Sequence, residues 1–210
     1  MLAPVSVRPR LEGRFGLPLY LYAERCSSTQ DLLPFNAPEG ALAVAEEQQH
    51  GRGRRGREWQ GSAGNVLLFS LCLRPTVETA RLASLTPVAA EAIVDALASF
   101  GVLATIKPPN DILLNGKKVA GILAEASDGR VVLGIGVNIG QEPGELPVRP
   151  VFPASSLALE LGRPIDRVEL LASILAQLER HYELWLVATG VRAALTLDCA
   201  TLPAADDGSK

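Results

Sequence analysis

The hydrophobic positions of this chain follow two periods, one typical of strands and one typical of helices. Alternating or continuous apolar runs predict strands at residues 19–24, 41–46, 66–73, 102–106 and 131–139. Spacings of three and four residues predict helices over residues 82–100 and 168–185. The run at 66–73 is apolar on nearly both faces, which favours a central place in a sheet.

Turn residues divide these runs into an ordered series of elements. Ser28 or Thr29 is a candidate cap of a short helix, and Gly101 is placed to end the first long one. From Ile112 the sequence predicts an antiparallel meander, in which Asn115-Gly116 and Ser127-Asp128-Gly129 are the turns. Asp166, with Glu169 three residues later, predicts the start of the last long helix. His181 falls within that helix and is interpreted as a packing residue.

The last predicted strand carries glycine at two alternate positions, Gly134 and Gly136. Side chains on alternate residues share a face, so one face of this strand is bare. Glycine weakens a strand, and the pair therefore indicates that a ligand or another backbone lies against it. A β-bulge is the alternative explanation.

Composition and charge limit the classes of function. The chain has 210 residues, with 48% hydrophobic and 20% charged, as expected for one globular domain. Its formal net charge of −3 argues against a general binder of polyanions. No apolar run reaches the length of a membrane span, and the N-terminus lacks the apolar core of a secretion signal. The three cysteines, Cys26, Cys72 and Cys199, show no disulfide or zinc-site spacing, and we expect a reducing cytoplasm.

Positive charge is concentrated in one segment, E-E-Q-Q-H-G-R-G-R-R-G-R-E-W-Q-G-S-A-G-N, over residues 46–65. Its arginines repel one another between glycines, and guanidinium groups match phosphate and carboxylate, so we interpret it as a loop that closes over an anionic ligand. Gly51, Gly53 and Gly56 spell a dinucleotide-binding pattern, but no helix can begin after them. A phosphate-binding P-loop also fails, since Arg57 and Glu58 replace its Lys and Ser/Thr. A solvated basic loop, or a contact to nucleic acid, is the alternative.

Four patches in this order resemble the catalytic domain of biotin protein ligases. They are S-S-T-Q at 27–30, the arginine-rich segment at 46–59, K-P-P-N-D followed by K-K-V-A-G-I-L-A-E within 107–125, and G-I-G-V-N-I-G at 134–140. The resemblance covers roughly residues 18–190, and the combination is far more specific than any single patch. It implies an α+β fold, a mixed and largely antiparallel sheet with helices packed mainly on one face. The expected organisation is an irregular lead-in at 1–17, a catalytic domain at 18–200 and a frayed tail at 201–210, with a further short helix at 190–200.

The resemblance also implies an activity and its ligands. Enzymes of this family activate biotin with ATP and Mg²⁺ and attach it to a biotin carboxyl carrier protein. The implied catalytic residues are Arg54 and Lys118. The implied biotin-binding residues are Ser28, Thr29, Gln30, Gln48, Arg52, Gly53, Arg54, Lys118, Gly121 and Gly136. The implied nucleotide-binding residues are Arg52, Arg54, Arg55, Trp59, Asn110, Asp111, Lys118 and Asn138. No dedicated protein metal site is expected.

Several departures from the family pattern alter the expectations. Pro108 replaces the usual Trp of K-W-P-N-D, and Gln30 stands where Asn is common. The usual winged-helix module has no counterpart in front of the catalytic domain, so no DNA binding is expected. The usual C-terminal β-barrel has no counterpart either. A homodimer that pairs through a sheet edge is expected. A lipoate or octanoate ligase or transferase is the nearest enzymatic alternative. A non-catalytic module that binds biotin or nucleic acid is the alternative from another class.

Overall fold

The computed structural model describes residues 1–59, 61–147 and 152–191. Its strands are β1 (Tyr20–Cys26), β2 (Leu42–Gln48), β3 (Gly51–Arg52), β4 (Glu58–Trp59), β5 (Val66–Leu73), β6 (Thr105–Lys107), β7 (Asp111–Leu114), β8 (Lys117–Ser127) and β9 (Arg130–Asn138). Its α-helices are α1 (Pro4–Val7), α2 (Thr29–Leu32), α3 (Thr79–Leu82), α4 (Leu85–Ala98), α5 (Leu157–Leu161) and α6 (Arg167–Ala188). Short 3₁₀ turns lie at Arg8–Arg10, Arg54–Gly56 and Pro143–Glu145.

Seven strands form one mixed sheet in the order β1-β2-β5-β9-β8-β7-β6. Only the β1–β2 pair is parallel, and every other neighbouring pair is antiparallel. Strand β5 lies inside the sheet between β2 and β9, as its continuous apolar run predicts. The predicted mixed, largely antiparallel sheet is confirmed.

The predicted meander is also confirmed, and its turns show why the sequence is informative there. Asn115 and Gly116 have φ angles of 52° and 75°, and Asp128 and Gly129 have 49° and 72°. These left-handed conformations at two successive residues match the twist of the flanking strands. Asn, Asp and Gly tolerate them best, which is why both turns could be read from the sequence.

The two faces of the sheet have different roles. The long helices α4 and α6 pack on one face, where Leu67, Phe69 and Leu71 of β5 join the main hydrophobic core. On the other face Cys72 belongs to a small separate cluster with residues of the segment after α2. The helices therefore cover mainly one face, as predicted, and much of the opposite face remains for a site.

Some element boundaries differ from the predictions. The helix predicted over 82–100 begins slightly later, as α4 at Leu85, and a separate short helix, α3, ends at Leu82 before it. The strand predicted at 102–106 begins later, as β6 at Thr105. Gly101 has a φ of +75° just after α4, which agrees with its predicted role at the helix end.

Helix α6 begins and packs through side chains that the sequence identified only in part. The Asp166 carboxylate accepts hydrogen bonds from the backbone N–H groups of Val168 and Glu169, which is the predicted N-terminal cap. His181 contacts α4, with its Nε2 atom 2.8 Å from Asp95 Oδ2. This partner comes from another helix, so no local pattern in the sequence around His181 could identify it.

Residues 1–17 are more ordered than the expected irregular lead-in. They contain helix α1 and a 3₁₀ turn, and Leu2, Val7 and Phe15 are buried in the main core. Arg14 forms ion pairs with Glu39, Glu179 and Glu183. The prediction erred because the partners of this segment lie far away in sequence, so no local period reveals them.

The expected tail at 201–210 lies outside the described residues, as does nearly all of the short helix expected at 190–200 and Cys199. Within the described ranges, no helix combines the length and the apolar character needed to cross a bilayer.

Candidate active site

A cleft opens on the sheet face opposite α4 and α6, and it gathers residues from α2, β2, β8, β9 and the segment between β2 and β5. The residues predicted from the resemblance that line it are Ser28, Thr29, Gln30, Gln48, Arg52, Gly53, Arg54, Trp59, Asn110, Asp111, Lys118, Gly121 and Gly136. Patches that are separated by up to about half the chain therefore meet at one place.

The floor of the cleft is a glycine platform formed by Gly121 of β8 and Gly136 of β9, which are direct cross-strand partners. The Trp59 indole lies against it. A Cβ added at Gly136 would be 2.3 Å from Trp59 Cε2, and one at Gly121 would be 2.8 Å from Trp59 Cζ3. The indole ring can lie on the sheet here only because these two residues have no side chains.

Gly134 has the same relation to Gln30. A Cβ at Gly134 would lie 3.0 Å from the Cδ atom of Gln30, whose side chain is buried. The bare face predicted for β9 is therefore occupied by two side chains of the chain itself. The predicted neighbour was a ligand or another backbone, and the sequence could not indicate that Gln30 and Trp59 fold back onto this strand.

Hydroxyl and amide groups cluster at the α2 end of the cleft. The Gln48 Oε1 atom accepts hydrogen bonds from Thr29 N at 2.7 Å and from Thr29 Oγ1 at 3.0 Å. The Ser28 side chain caps α2 by accepting from Gln30 N. The Gln30 Nε2 and Trp59 Nε1 atoms are buried without a hydrogen-bond partner among the described residues. Such buried donors are costly unless a ligand satisfies them.

The arginine-rich segment forms a small antiparallel hairpin of β3 and β4, here called the arginine hairpin, residues 51–59. Gly53 N donates to Arg57 O at 2.7 Å, and Arg52 Nη2 lies 2.9 Å from Asp31 and 3.2 Å from Glu125. An apolar contact also holds the segment, because Trp59 anchors one of its strands on the glycine platform.

Two further cationic groups reach the cleft. Lys118 Nζ lies 2.5 Å from Asp111 Oδ1, and its side chain is only 12% exposed. The same ammonium lies 5.3 Å from the centroid of the Trp59 ring. Arg54 Nη1 donates to Asn110 Oδ1 at 3.0 Å from the exposed side of the cleft. Lys118 therefore lies at the Trp59 end, whereas Arg52 lies beside α2, where its Nε donates to Gln30 Oε1 at 3.3 Å.

Two predicted residues do not line the cleft. Arg55 is exposed, with a φ of 60° at the tip of the arginine hairpin. Asn138 is buried, and its amide donates to Ser155 O while its Oδ1 accepts from Gln141. Its hydrogen bonds hold the end of β9 to the segment before α5, which is a structural role in this arrangement.

The sequence reasoning did not assign seven other lining residues to the site. They are Arg57, Glu58, Leu68, Ile122, Leu123, Gly134 and Ile135. Most of them are apolar strand residues, whose period alone does not separate a cleft wall from a core. Gly134 had a signal, since the bare strand face already included it.

The cleft lacks the donor set of a protein-only metal site. Within residues 1–59, 61–147 and 152–191, no three His, Cys, Asp or Glu side chains are arranged to hold a metal ion together. Glu58 and Asp111 are the carboxylates in the lining. They match a Mg²⁺ ion that is held mainly by phosphate oxygens, since Mg²⁺ typically takes one or two carboxylates beside a nucleotide.

Comparison with known sequences identifies a family and several relatives. The sequence profile of the Biotin/lipoate A/B protein ligase family matches residues 22–142. The bifunctional ligase/repressor BirA of Bacillus subtilis is 41% identical over 187 residues, which is 81% of this chain and 58% of that protein. The biotin--[acetyl-CoA-carboxylase] ligase of Mycobacterium tuberculosis is 34% identical over 84% of this chain and 68% of its own length. The chain thus spans little more than half the length of the Bacillus relative.

Solved structures show the same architecture. A biotin protein ligase from Aquifex aeolicus in complex with biotin and ATP superimposes with a TM-score of 0.71. It is 32% identical in sequence, and the match covers 79% of this chain and 70% of that one. The fold is therefore shared with a biotin protein ligase whose structure was solved with both biotin and ATP bound.

Proposed function

Because this chain belongs to the Biotin/lipoate A/B protein ligase family, we propose that it is an ATP-dependent biotin protein ligase. It would convert biotin and ATP to biotinyl-5′-AMP and pyrophosphate, and then transfer the biotinyl group to a lysine of a biotin carboxyl carrier protein. The observation that carries this proposal is that one cleft holds two kinds of group: the hydroxyls and amides of Ser28, Thr29, Gln30 and Gln48, here called its neutral end, and the cationic side chains of Arg52, Arg54 and Lys118, here called its cationic end.

The neutral end suits the ureido ring of biotin. Ser28, Thr29, Gln30 and Gln48 supply hydroxyl and amide groups, which can both donate and accept hydrogen bonds. Two apolar side chains share the cleft face of the sheet, Leu68 opposite Gly136 and Leu123 opposite Gly134, and the thiophane ring and the valeryl chain of biotin would pack against them.

The cationic end suits the reacting groups. A biotin carboxylate that attacks the α-phosphorus of ATP brings negative charges together, and the bond from that phosphorus to the pyrophosphate breaks as the new one forms. Arg52, Arg54 and Lys118 would reduce this repulsion and stabilise the charge on the transferring group. Asp111 and Glu58 would help to hold Mg²⁺ at the phosphates, and the bound ion would supply positive charge there.

The second step needs no protein nucleophile. The amine of the acceptor lysine attacks the acyl carbon of the mixed anhydride, and AMP leaves with the electron pair of the broken bond. The arginine hairpin would cover this anhydride, exclude water and hold it until the acceptor arrives. Cys26, next to the Ser28 patch, is not suited to compete as a nucleophile, because burial raises the pKa of its thiol to about 11.

The test is pyrophosphate release from labelled ATP. We expect release with biotin and Mg²⁺, and little with lipoate or octanoate, because those acids have no ureido group for the neutral end of the cleft. Release with lipoate or octanoate alone would favour the related ligases or transferases of the family. Calorimetric binding of biotin with no pyrophosphate release would identify a non-catalytic biotin-binding protein.

A second experiment tests the role of the arginine hairpin. Arg54→Gly should release biotinyl-5′-AMP into solution at a rate about tenfold or more above wild type, because one charge-assisted contact to the intermediate is lost. Arg54→Lys keeps the charge and should retain most of the adenylate. Chromatography of the filtrate after single-turnover adenylation measures both, and equal retention by all three proteins would contradict the proposed role.

The remaining expectations belong to the same proposal. We expect the acceptor to be a biotin carboxyl carrier protein, and we expect the enzyme itself to lie in the cytoplasm. The exposed edge strands β1 and β6 are the candidate surfaces for the expected homodimer, and analytical ultracentrifugation with and without biotin and ATP measures it.

A further inference from the structure

A buried hydroxyl lies behind the cleft, on the central strand of the sheet. Ser70 is 0% exposed in β5, and its neighbours across the strands are Ala43 of β2 and Gly134 of β9. Burying a hydroxyl in an apolar strand is unfavourable unless it is hydrogen-bonded. Its Oγ atom lies 2.7 Å from Thr29 Oγ1, and Thr29 belongs to the neutral end of the cleft.

The directions of the surrounding hydrogen bonds follow from one backbone group. The Thr29 N–H can only donate, so the Gln48 atom 2.7 Å away must be its Oε1 oxygen, which fixes the orientation of the amide. Thr29 Oγ1 lies 3.0 Å from the same oxygen and gives its single proton to it. The Ser70 hydroxyl must therefore donate to Thr29 Oγ1.

This order of protons sets what the cleft offers to a ligand. The Thr29 oxygen has no proton left to donate, so towards a ligand it acts as an acceptor. The Gln48 amide turns its oxygen to Thr29 and its Nε2 donor to the other side, near Gly51. The buried Gln30 Nε2 atom is another donor, without a partner among the described residues. An acceptor beside donors complements a cyclic urea, which presents N–H groups on either side of a carbonyl oxygen.

We propose that Ser70 is a positioning residue for recognition of the ureido ring, acting through the Thr29 hydroxyl and the Gln48 amide. The inference rests on the proposed function, because it assigns the ligand of the same cleft. Ser70 does not line the cleft and would not touch biotin. Its donated proton holds Thr29 in the rotamer and polarity that the ligand meets.

The first experiment compares Ser70→Ala with the wild type. We expect the KM and the dissociation constant for biotin to rise about fivefold, as for the loss of one neutral hydrogen bond. The kcat of pyrophosphate release and the KM for ATP should stay unchanged, since the cationic end is intact. Cys72→Ala is the matched control, because Cys72 is equally buried two residues further along the same face of β5 and contacts Ala37 instead. It should leave the affinity for biotin unchanged.

A double-mutant cycle decides whether Ser70 acts through Thr29. In a Thr29→Val background, which lacks the hydroxyl, Ser70→Ala should weaken biotin binding by less than about twofold, since the coupled partner is already gone. In a Thr29→Ser background, which keeps the hydroxyl, the full effect should return. The same fivefold loss in both backgrounds would contradict the proposal, as would an equal loss in Cys72→Ala.

The two levels of the proposal fail in different ways. A wild-type protein that binds no biotin contradicts the proposed function and, with it, the role given to Ser70. A wild-type protein that binds biotin and releases pyrophosphate, beside a Ser70→Ala variant of equal affinity, contradicts the role of Ser70 alone.

Discussion

At the scale of single residues, the cleft depends on side chains that are absent. The glycine platform of Gly121 and Gly136 lets the Trp59 ring lie directly on the sheet. Neither glycine has a positive φ, so the backbone conformation does not require glycine at these positions. The space taken by the indole does require it, because any Cβ at these positions would overlap the ring.

We therefore expect Gly136→Ala to weaken biotin and ATP binding by about tenfold or more, because the added methyl group displaces Trp59 from its position. Isothermal titration calorimetry measures the affinities. Gly144→Ala is the control, since a Cβ there meets nothing within 4 Å and the φ is not positive. Unchanged binding in Gly136→Ala would show that the ring can move without consequence.

At the scale of elements, the arginine hairpin is held by few interactions, and most of them are at the surface. Its two strands are two residues long each. The Arg52 side chain, 41% exposed, pairs with Asp31 and Glu125, which are 49% and 46% exposed. Exposed ion pairs stabilise by at most about 1 kcal/mol each and weaken with salt. Such an element can be closed in the resting protein and still open for ligands.

The double variant Asp31→Asn with Glu125→Gln should open the arginine hairpin more often, because both counter-charges of Arg52 are removed. Trypsin cleavage within residues 52–57 should then accelerate about two- to fivefold, in line with the loss of two exposed pairs. Mass spectrometry of the fragments over time gives the rate. Glu169→Gln removes an exposed pair with Arg10 outside the hairpin and should not change it.

High salt provides an independent check of the same pairs. Cleavage of the wild type should approach the rate of the double variant at about 1 M salt, where surface charges are screened. A double variant that remains as salt-sensitive as the wild type would contradict the role of these carboxylates.

At the scale of the whole molecule, the sheet separates a core on one face from a cleft on the other, and a buried ion pair joins distant segments behind it. Glu46 of β2 accepts from Leu2 N at 2.7 Å and from Arg167 Nη1 at 2.8 Å. Burial alone would raise the pKa of Glu46, but these hydrogen bonds outweigh it and lower that pKa. The N-terminal segment and α6 are thereby tied to the strand that also carries Gln48.

The sign of the pH dependence follows from that lowered pKa. A carboxyl group with a lower pKa in the folded state stabilises the protein fully above its ordinary pKa, and that contribution is lost as the pH falls through the folded value. Glu46→Gln should cost about 3 kcal/mol of unfolding free energy at pH 7, because Arg167 loses its counter-charge in a buried site.

Urea unfolding at several pH values measures this difference. It should begin to shrink below about pH 4, where the unfolded chain takes up a proton at this residue, and it should be lost once the pH falls through the lower pKa of the folded state. Glu47→Gln is the matched control, since the neighbouring Glu47 pairs with Arg25 at the surface and should cost less than about 1 kcal/mol. A Glu46 effect that does not depend on pH would exclude the ionic explanation.

Local features made much of this protein readable from its sequence. The strands, the two long helical regions and the hairpin at Asn115-Gly116 follow from period and turn chemistry, which act over a few residues. Resemblance across four patches was enough to name most of the cleft residues. Asn138 and Arg55 were the exceptions, because a match to a motif does not determine which contacts the side chain makes.

Tertiary structure decided what distant residues do to one another. Three contacts in the cleft join segments that are far apart in sequence. Trp59 covers Gly136, Asp31 and Glu125 hold Arg52, and Ser70 donates a proton to Thr29. Periodicity reports only which face of an element is apolar. The partner across that face is chosen by packing of the whole sheet, and so is the direction of each hydrogen bond in the cleft.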